Sequence, residues 1–268
     1  MTTIRTILTF DDTELYLKTD VPTSPKAVAV IVHGLCEHQG RYDYLTSRLD
    51  AQGIAVYRFD HRGHGQSKGV RVFYSDYNEI ADDVNEIVKL AEKELSGLPL
   101  FIIGHSMGGY ATTLFATKYP GRANGIILSG ALTRYNLQTF GAIPEELSDT
   151  DYIDNSLAGG VCSDPAVGQA YTQDPLVEKQ ISIGLMRSLL SGIHYLKTNA
   201  AAFIDPALIM HGANDGLVSE KDSRDLFGDI GSKDKELVIY ASLMHEIFNE
   251  FEKDRVISNV LRWIKKHI

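Results

Sequence analysis

Ser106 lies between two glycines in Gly104-His105-Ser106-Met107-Gly108, inside the stretch "PLFIIGHSMGGYATTLFA" (residues 99–116). An apolar run precedes it and a helical pattern follows at once. Gly-x-Ser-x-Gly at a strand-to-helix junction is the nucleophile-elbow pattern, a sharp and strained turn whose flanking positions must carry no side chain. The serine then stands at the head of a helix, where the Met107 backbone N–H and the positive helix end can face an oxyanion. A serine hydroxyl is a weak nucleophile until a base takes its proton. The chain offers an acid and a base in the order serine, acid, histidine. Asp215 follows the apolar run "ALIMHG" within "ANDGLVS", and His245 follows "ELVIYA" within "SLMHEIF". Both fall on loops after strands, at the edge where open α/β sheets bind ligands. Asp222 lies in a helical pattern, Asp205 precedes a strand at the wrong edge, and His267 is in the last helix, so these are weaker partners. A second oxyanion donor is expected after an earlier strand. "IVHGLCEHQGRY" opens with His33-Gly34 and puts the Leu35 backbone N–H there. These residues predict acyl transfer through an acyl-serine.

The elements that must position them are legible in the apolar pattern. "AVAVIVHG" (27–34) is a continuous β-branched run, as in a strand buried on both faces. Runs at 54–60, 100–104, 125–130, 207–212 and 236–240 share that character, and the first twenty residues alternate around an acidic turn like a β-hairpin. The spacing predicts a helix over 77–95, with Ile80, Val84, Ile87, Val88, Ala91 and Leu95 on one stripe. Asp76 in front of it, with Glu79 three residues on, reads as a capping box. A last helix is expected over 252–266, with Val256, Val260 and Trp263 on one side. Buried strands alternating with amphipathic helices imply an α/β fold with a mostly parallel sheet covered on both faces.

One segment breaks that rhythm. From 131 to 203 no clean strand is visible, and only 181–196 reads firmly as a helix, with Ile181, Leu185, Leu189, Ile193 and Leu196 on one stripe. Met186 and Leu190 lie alongside. Long structureless loops are rare in compact domains, so 131–203 reads as a cap inserted between core parts 1–130 and 204–268. Its stripe suits packing on the core, an acyl-chain tunnel or, without a basic face, at most transient contact with a membrane surface.

Composition narrows the partners. The 268 residues carry a net charge of −9 without a basic run, which argues against a nucleic-acid partner. Two cysteines, Cys36 and Cys162, cannot build a disulfide framework. No apolar signal core opens the chain and no 18 apolar residues run together, so a cytoplasmic location is expected. In "DHRGHGQS", His61, Arg62 and His64 lack the acidic or cysteine companions of a metal site and read as loop bracing.

"HGLCEHQGRY", "DHRGHGQSKG", "GHSMGG", "ANDGLV" and "MHEIFNE" resemble, in order and spacing, the monoacylglycerol lipase and lysophospholipase group of α/β-hydrolases. The resemblance runs from about residue 25 to the end and is weakest in the insertion. GHSMGG is shared with many hydrolases; H-G-x-x-E-H-x-x-R-Y and D-H-R-G-H-G-x-S are more selective. The resemblance implies an α/β-hydrolase fold with a cap and a serine hydrolase that cleaves monoacylglycerols without metal or organic cofactor. It also implies Ser106, Asp215 and His245 as the triad, and Leu35 and Met107 as oxyanion donors. Glu37, Arg41, His105 and Tyr171 match the group's polar pocket for the glycerol part. On the residues alone, Glu37 and Arg41 fit a bracing ion pair as well as substrate contact. Two positions depart from the group: Phe248 replaces a second histidine three residues after His245, and Cys36 replaces a small residue beside the oxyanion loop. Lysophospholipase, broad short-chain carboxylesterase and a non-catalytic binding protein of the same fold are the alternatives.

Overall fold

A computed structural model describes all 268 residues. The chain starts as an antiparallel hairpin, β1 (Thr2–Leu8) and β2 (Glu14–Asp20). It continues through β3 (Ala27–Val32), α1 (Asp43–Asp50), β4 (Ile54–Phe59) and α2 (Tyr77–Glu94). Then come β5 (Leu100–His105), α3 (Met107–Lys118) and β6 (Gly125–Ser129). An insertion follows, with β7 (Tyr152–Asp154), α4 (Pro165–Gln173), β8 (Gln180–Ser182) and α5 (Ile183–Asn199). The chain returns with β9 (Ala207–Gly212), α6 (Glu220–Asp229), β10 (Lys235–Tyr240) and α7 (Lys253–Lys266).

The main sheet has eight strands in the order β1-β2-β4-β3-β5-β6-β9-β10. β2 meets β4 antiparallel, and every pairing from β4 to β10 is parallel. Every residue of β3, β4, β5, β6 and β9 is buried, which accounts for their unbroken apolar sequences. α2, α3 and α5 cover one face and α1 and α7 the other, each over its own apolar core. All parallel strands therefore end at one edge, and the loops after β3, β5, β9 and β10 gather there. No helix is long and apolar enough to cross a membrane.

The helix expected over 77–95 ends one residue earlier, and its cap differs in detail. Asp76 accepts from the Asn78 N–H, but Glu79 reaches past it to the N–H and hydroxyl of Ser75. The insertion departs more from expectation. It holds a two-stranded sheet, β7 with β8, whose three-residue strands are too short to show a period. It also holds α4, which the sequence pattern missed because Tyr171 is its one buried side chain. The Asp164 cap and Pro165 were its visible signals. α5 starts at Ile183 rather than 181, since Ile181 pairs with Ile153 in the small sheet and the Ser182 hydroxyl caps the helix by accepting from Leu185 N–H. Leu185, Met186, Leu189, Ile193 and Leu196 are buried.

Candidate active site

Ser106 occupies the residue between β5 and α3 with φ 54° and ψ −118°. A serine in that region costs about 1–3 kcal/mol, so its neighbours must hold it. Its N–H donates to Ser129 O at 2.9 Å, and its carbonyl accepts from the N–H groups of Tyr110 (3.0 Å) and Leu132 (3.2 Å). The flanking glycines are a steric requirement. A Cβ on Gly108 would stand 2.1 Å from the Val32 carbonyl oxygen, and one on Gly104 would stand 2.5 Å from that of Gly108.

Asp215 sits on the loop after β9 with its carboxylate sealed from solvent. Its Oδ1 accepts from the backbone N–H groups of Leu217 (2.8 Å) and Val218 (2.9 Å). Its Oδ2 meets His245 Nδ1 at 2.7 Å and His211 Nε2 at 2.9 Å. Burial alone would push this carboxyl up, but the His245 charge and both imidazole hydrogen bonds hold it well below the usual carboxylate range. Burial likewise opposes a charge on His245, and Asp215 outweighs it, so the His245 pKa is raised. With Nδ1 turned to the acid, Nε2 is the nitrogen left for the cavity that His245 shares with Ser106. No hydrogen bond joins Ser106 to His245 in this structure; such contacts tighten toward the transition state.

The backbone N–H groups of Leu35 and Met107 belong to residues lining that cavity and donate to no protein group. Glu37 shapes the loop that carries Leu35: its Oε1 accepts from Gly34 N–H (2.6 Å) and from the Tyr42 hydroxyl (2.6 Å). Its Oε2 takes Arg41 Nη1 at 2.6 Å. Arg41 also forms a two-pronged pair with Glu246, both contacts at 2.7 Å. Burial pushes the Glu37 carboxyl up, yet Arg41 and its hydrogen bonds bring it below the ordinary value. Glu37 and Glu246 line the cavity, whereas Arg41 lies behind them on a separate outer cleft. The ion network is thus the wall between the two. Sequence reasoning missed Glu246; its only signal was an acid directly after His245, and its cation lies 205 positions away.

His105 donates through Nδ1 to Ser129 O at 3.0 Å, and its ring centroid is 4.6 Å from that of His245. Burial and then the neighbouring His245 charge push it down to about 3, so it stays neutral with an acceptor Nε2. The Tyr171 hydroxyl accepts from Asn155 Nδ2 at 2.9 Å while Arg41 lies 5.0 Å over its ring. Phe248 packs in the core beneath α7 and does not line the cavity. Cys36 is buried and its thiol is pushed well up, first by burial, so it behaves as a small packed side chain. His61 and His64 pack against His33, with ring centroids 4.4 Å (His33–His61) and 5.6 Å (His33–His64) apart, and brace the loop after β4 against the loop after β3.

The space within the site, part of it open to solvent, is about 540 Å³. Its floor is polar (Glu37, His105, Ser106, His245, Glu246) and its walls are apolar, with Leu132, Phe140 and Leu217 beside Leu157 and Val161 of the insertion. A second cavity of about 230 Å³, lined by apolar and aromatic side chains alone, shares Leu132, Tyr135 and Phe140 with it and runs on to Met186, Leu190 and Ile193. A site with these two ends suits a molecule with one polar and one hydrocarbon part.

A serine raised on a strained elbow at the carboxyl edge of such a sheet, sharing a cavity with an acid-held imidazole, places the molecule among the α/β hydrolases. A family profile described as serine aminopeptidase, S33, matches residues 23–252. The chain belongs to that family of serine hydrolases. It is 35 % identical to a monoacylglycerol lipase of Mycolicibacterium smegmatis, over 92 % of this chain and 90 % of that one. It is 29 % identical to the monoglyceride lipase of Homo sapiens, over 91 % and 84 %. Among solved structures, a soluble variant of the monoglyceride lipase from Saccharomyces cerevisiae in complex with a substrate analog superposes with a TM-score of 0.83. It is 26 % identical and covers 100 % of this chain and 95 % of that one.

Proposed function

We propose that this chain hydrolyses the ester bond of monoacylglycerols through an acyl-serine intermediate. The observation that carries the reading is the 2.7 Å contact between Asp215 Oδ2 and His245 Nδ1 on the wall of the cavity that holds Ser106. Ser106 Oγ attacks the ester carbonyl while His245 Nε2 takes its proton. The same imidazole then returns the proton to the departing alcohol, and water deacylates the serine by the reverse route. Asp215 holds the tautomer and stabilises the imidazolium. The N–H groups of Leu35 and Met107 receive the oxyanion, a contribution of about 2.7–4 kcal/mol per donor in acyl-transfer enzymes. Glu37, His105 and Tyr171 contact the glycerol part, with Arg41 as the cation that keeps Glu37 and Glu246 in place. Residues 131–203 act as the cap over core parts 1–130 and 204–268, and the apolar cavities take the acyl chain. The named activities of the relatives and the polar-and-apolar division of the site support this substrate class.

The test is a rate panel on 1-monoacylglycerols of graded chain length, p-nitrophenyl butyrate, lysophosphatidylcholine and a triacylglycerol, with Ser106→Ala alongside. Turnover greatest on monoacylglycerols and lost in the variant is the expected result. Turnover on the butyrate ester alone would make this a general esterase, and preference for the lysophospholipid would reassign the polar end. Serine-independent turnover would overturn the mechanism.

A further inference from the structure

Asp215 is shared by two imidazoles, and the mechanism above uses one. The other, His211, is the next-to-last residue of β9 and is fully buried. Its Nε2 stands 2.9 Å from Asp215 Oδ2 and 3.1 Å from the Val218 carbonyl oxygen. Both are acceptors, so this nitrogen carries a proton. Its Nδ1 lies 2.7 Å from the hydroxyl of Ser223, a buried residue of α6. A serine hydroxyl that donates to Nδ1 selects the Nε2–H tautomer, and with it the direction of the whole chain of bonds: Ser223 to His211 to Asp215. With the two backbone N–H groups on Oδ1, the carboxylate then meets four donors, and its Oδ2 divides its charge between two rings.

We propose that His211 is a positioning residue of the hydrolytic site, which holds Asp215 by the oxygen that meets His245 and so sets the pH at which His245 is free to act as base. The proposal rests on the reading of Ser106, Asp215 and His245 as one catalytic unit. The physical reason is competition for one oxygen. A hydrogen bond from His211 draws charge away from Oδ2, which weakens the hold of Asp215 on the His245 imidazolium and lets that ring lose its proton at lower pH. The other groups facing His245 are His105 on β5, Glu37 on the loop after β3, and Glu246 next in the chain. Glu37 and Glu246 share Arg41. None of these is hydrogen-bonded to His211. Asp222, beside Ser223, is turned to the amides of residues 133–136. A change at position 211 therefore reaches His245 through Asp215.

The experiment is the rate of Ser106 labelling by a fluorophosphonate, located by mass spectrometry and measured from pH 5 to 9 for wild type, His211→Leu, His211→Gln and Ser223→Ala. Removal of the donor in His211→Leu is expected to move the acid limb upward by about 0.5–1 pH unit, a loss of about two- to sixfold in rate at the wild-type midpoint. His211→Gln, which keeps an N–H donor, returns the limb toward its wild-type position. Ser223→Ala releases the tautomer and moves it upward by less. Should His211→Leu not fold, Ser223→Ala and the histidine ¹⁵N shifts of the wild type decide the matter, with Nε2 of His211 protonated and Nδ1 not. An unmoved limb in His211→Leu and Ser223→Ala would overturn the proposal, as would a His211→Gln limb displaced as far as that of the leucine variant, or a proton on Nδ1. Wild-type protein that is never labelled at Ser106 would instead overturn the reading of the site on which the proposal depends.

Discussion

Asp215 and Asp222 lie seven residues apart, and both carboxylates are sealed from solvent, yet they serve two regions in different ways. Asp222 meets only amides. Its Oδ2 accepts from the backbone N–H groups of Thr133 (3.1 Å), Arg134 (2.8 Å) and Tyr135 (2.8 Å), and its Oδ1 from Asn136 N–H (3.0 Å) and Nδ2 (2.9 Å). It clamps the first turn of the insertion to α6. Asp215 spends two of its four contacts on amides and two on imidazoles. Amide donors never change protonation, so an acid surrounded by them holds shape. An acid with an imidazole partner has its charge coupled to a proton that moves at neutral pH. Burial is the same in both; the chemistry of the donors separates the clamp from the acid proposed for the triad.

The largest effect tests the triad side of this contrast. Asp215→Asn keeps the size of the side chain but turns an NH₂ toward His245 and favours the wrong tautomer. Ester turnover is expected to fall by about 10⁴-fold in protein that is still folded by circular dichroism. A variant with wild-type rates would place the orienting acid elsewhere. Asp222→Ala should show the reverse signature. It strands donors at the buried residues Thr133 and Arg134, so stability is expected to fall by about 3 kcal/mol in urea titrations, while turnover of a short soluble ester changes by less than tenfold. Loss of turnover at unchanged stability would erase the distinction between the two acids.

A third test, read as a slope against pH, extends the comparison to a buried base without a titrating partner. His64 donates through Nδ1 to Arg62 O, and its Nε2 is buried without a partner. Burial pushes its pKa down to about 4 from 6.5. The folded protein therefore leaves His64 neutral while the unfolded chain takes up a proton below pH 6.5. Stability is lost as pH falls from about 6.5 to 4, by up to about 1.4 kcal/mol per pH unit from this residue. His64→Leu should flatten the dependence of the urea midpoint on pH across that window. An unchanged slope would mean that other groups carry the acid sensitivity.

The sequence by itself determined the parallel core, because strands buried on both faces must be apolar throughout and the helices between them apolar on one stripe. It also pointed to the elbow, since Gly104 and Gly108 are imposed by backbone atoms of adjacent elements and leave a local signature. Asp215 and His245 were readable as positions after strands, where the topology gathers loops at one edge. Contacts without a local period or motif were settled only by the tertiary structure. Arg41 finds Glu246 across 205 positions and becomes a wall of the site. His211 reaches Asp215 because the loop after β9 folds back on its own strand. Asp222, discounted because it sits in a helix, is instead the anchor of the insertion. The elements β7, β8 and α4, between β6 and β9, are too short or too exposed to show a pattern. Backbone sterics and burial act on neighbours in the chain and leave their mark in residue type. Hydrogen-bond partnership between distant side chains leaves none until the fold brings them together.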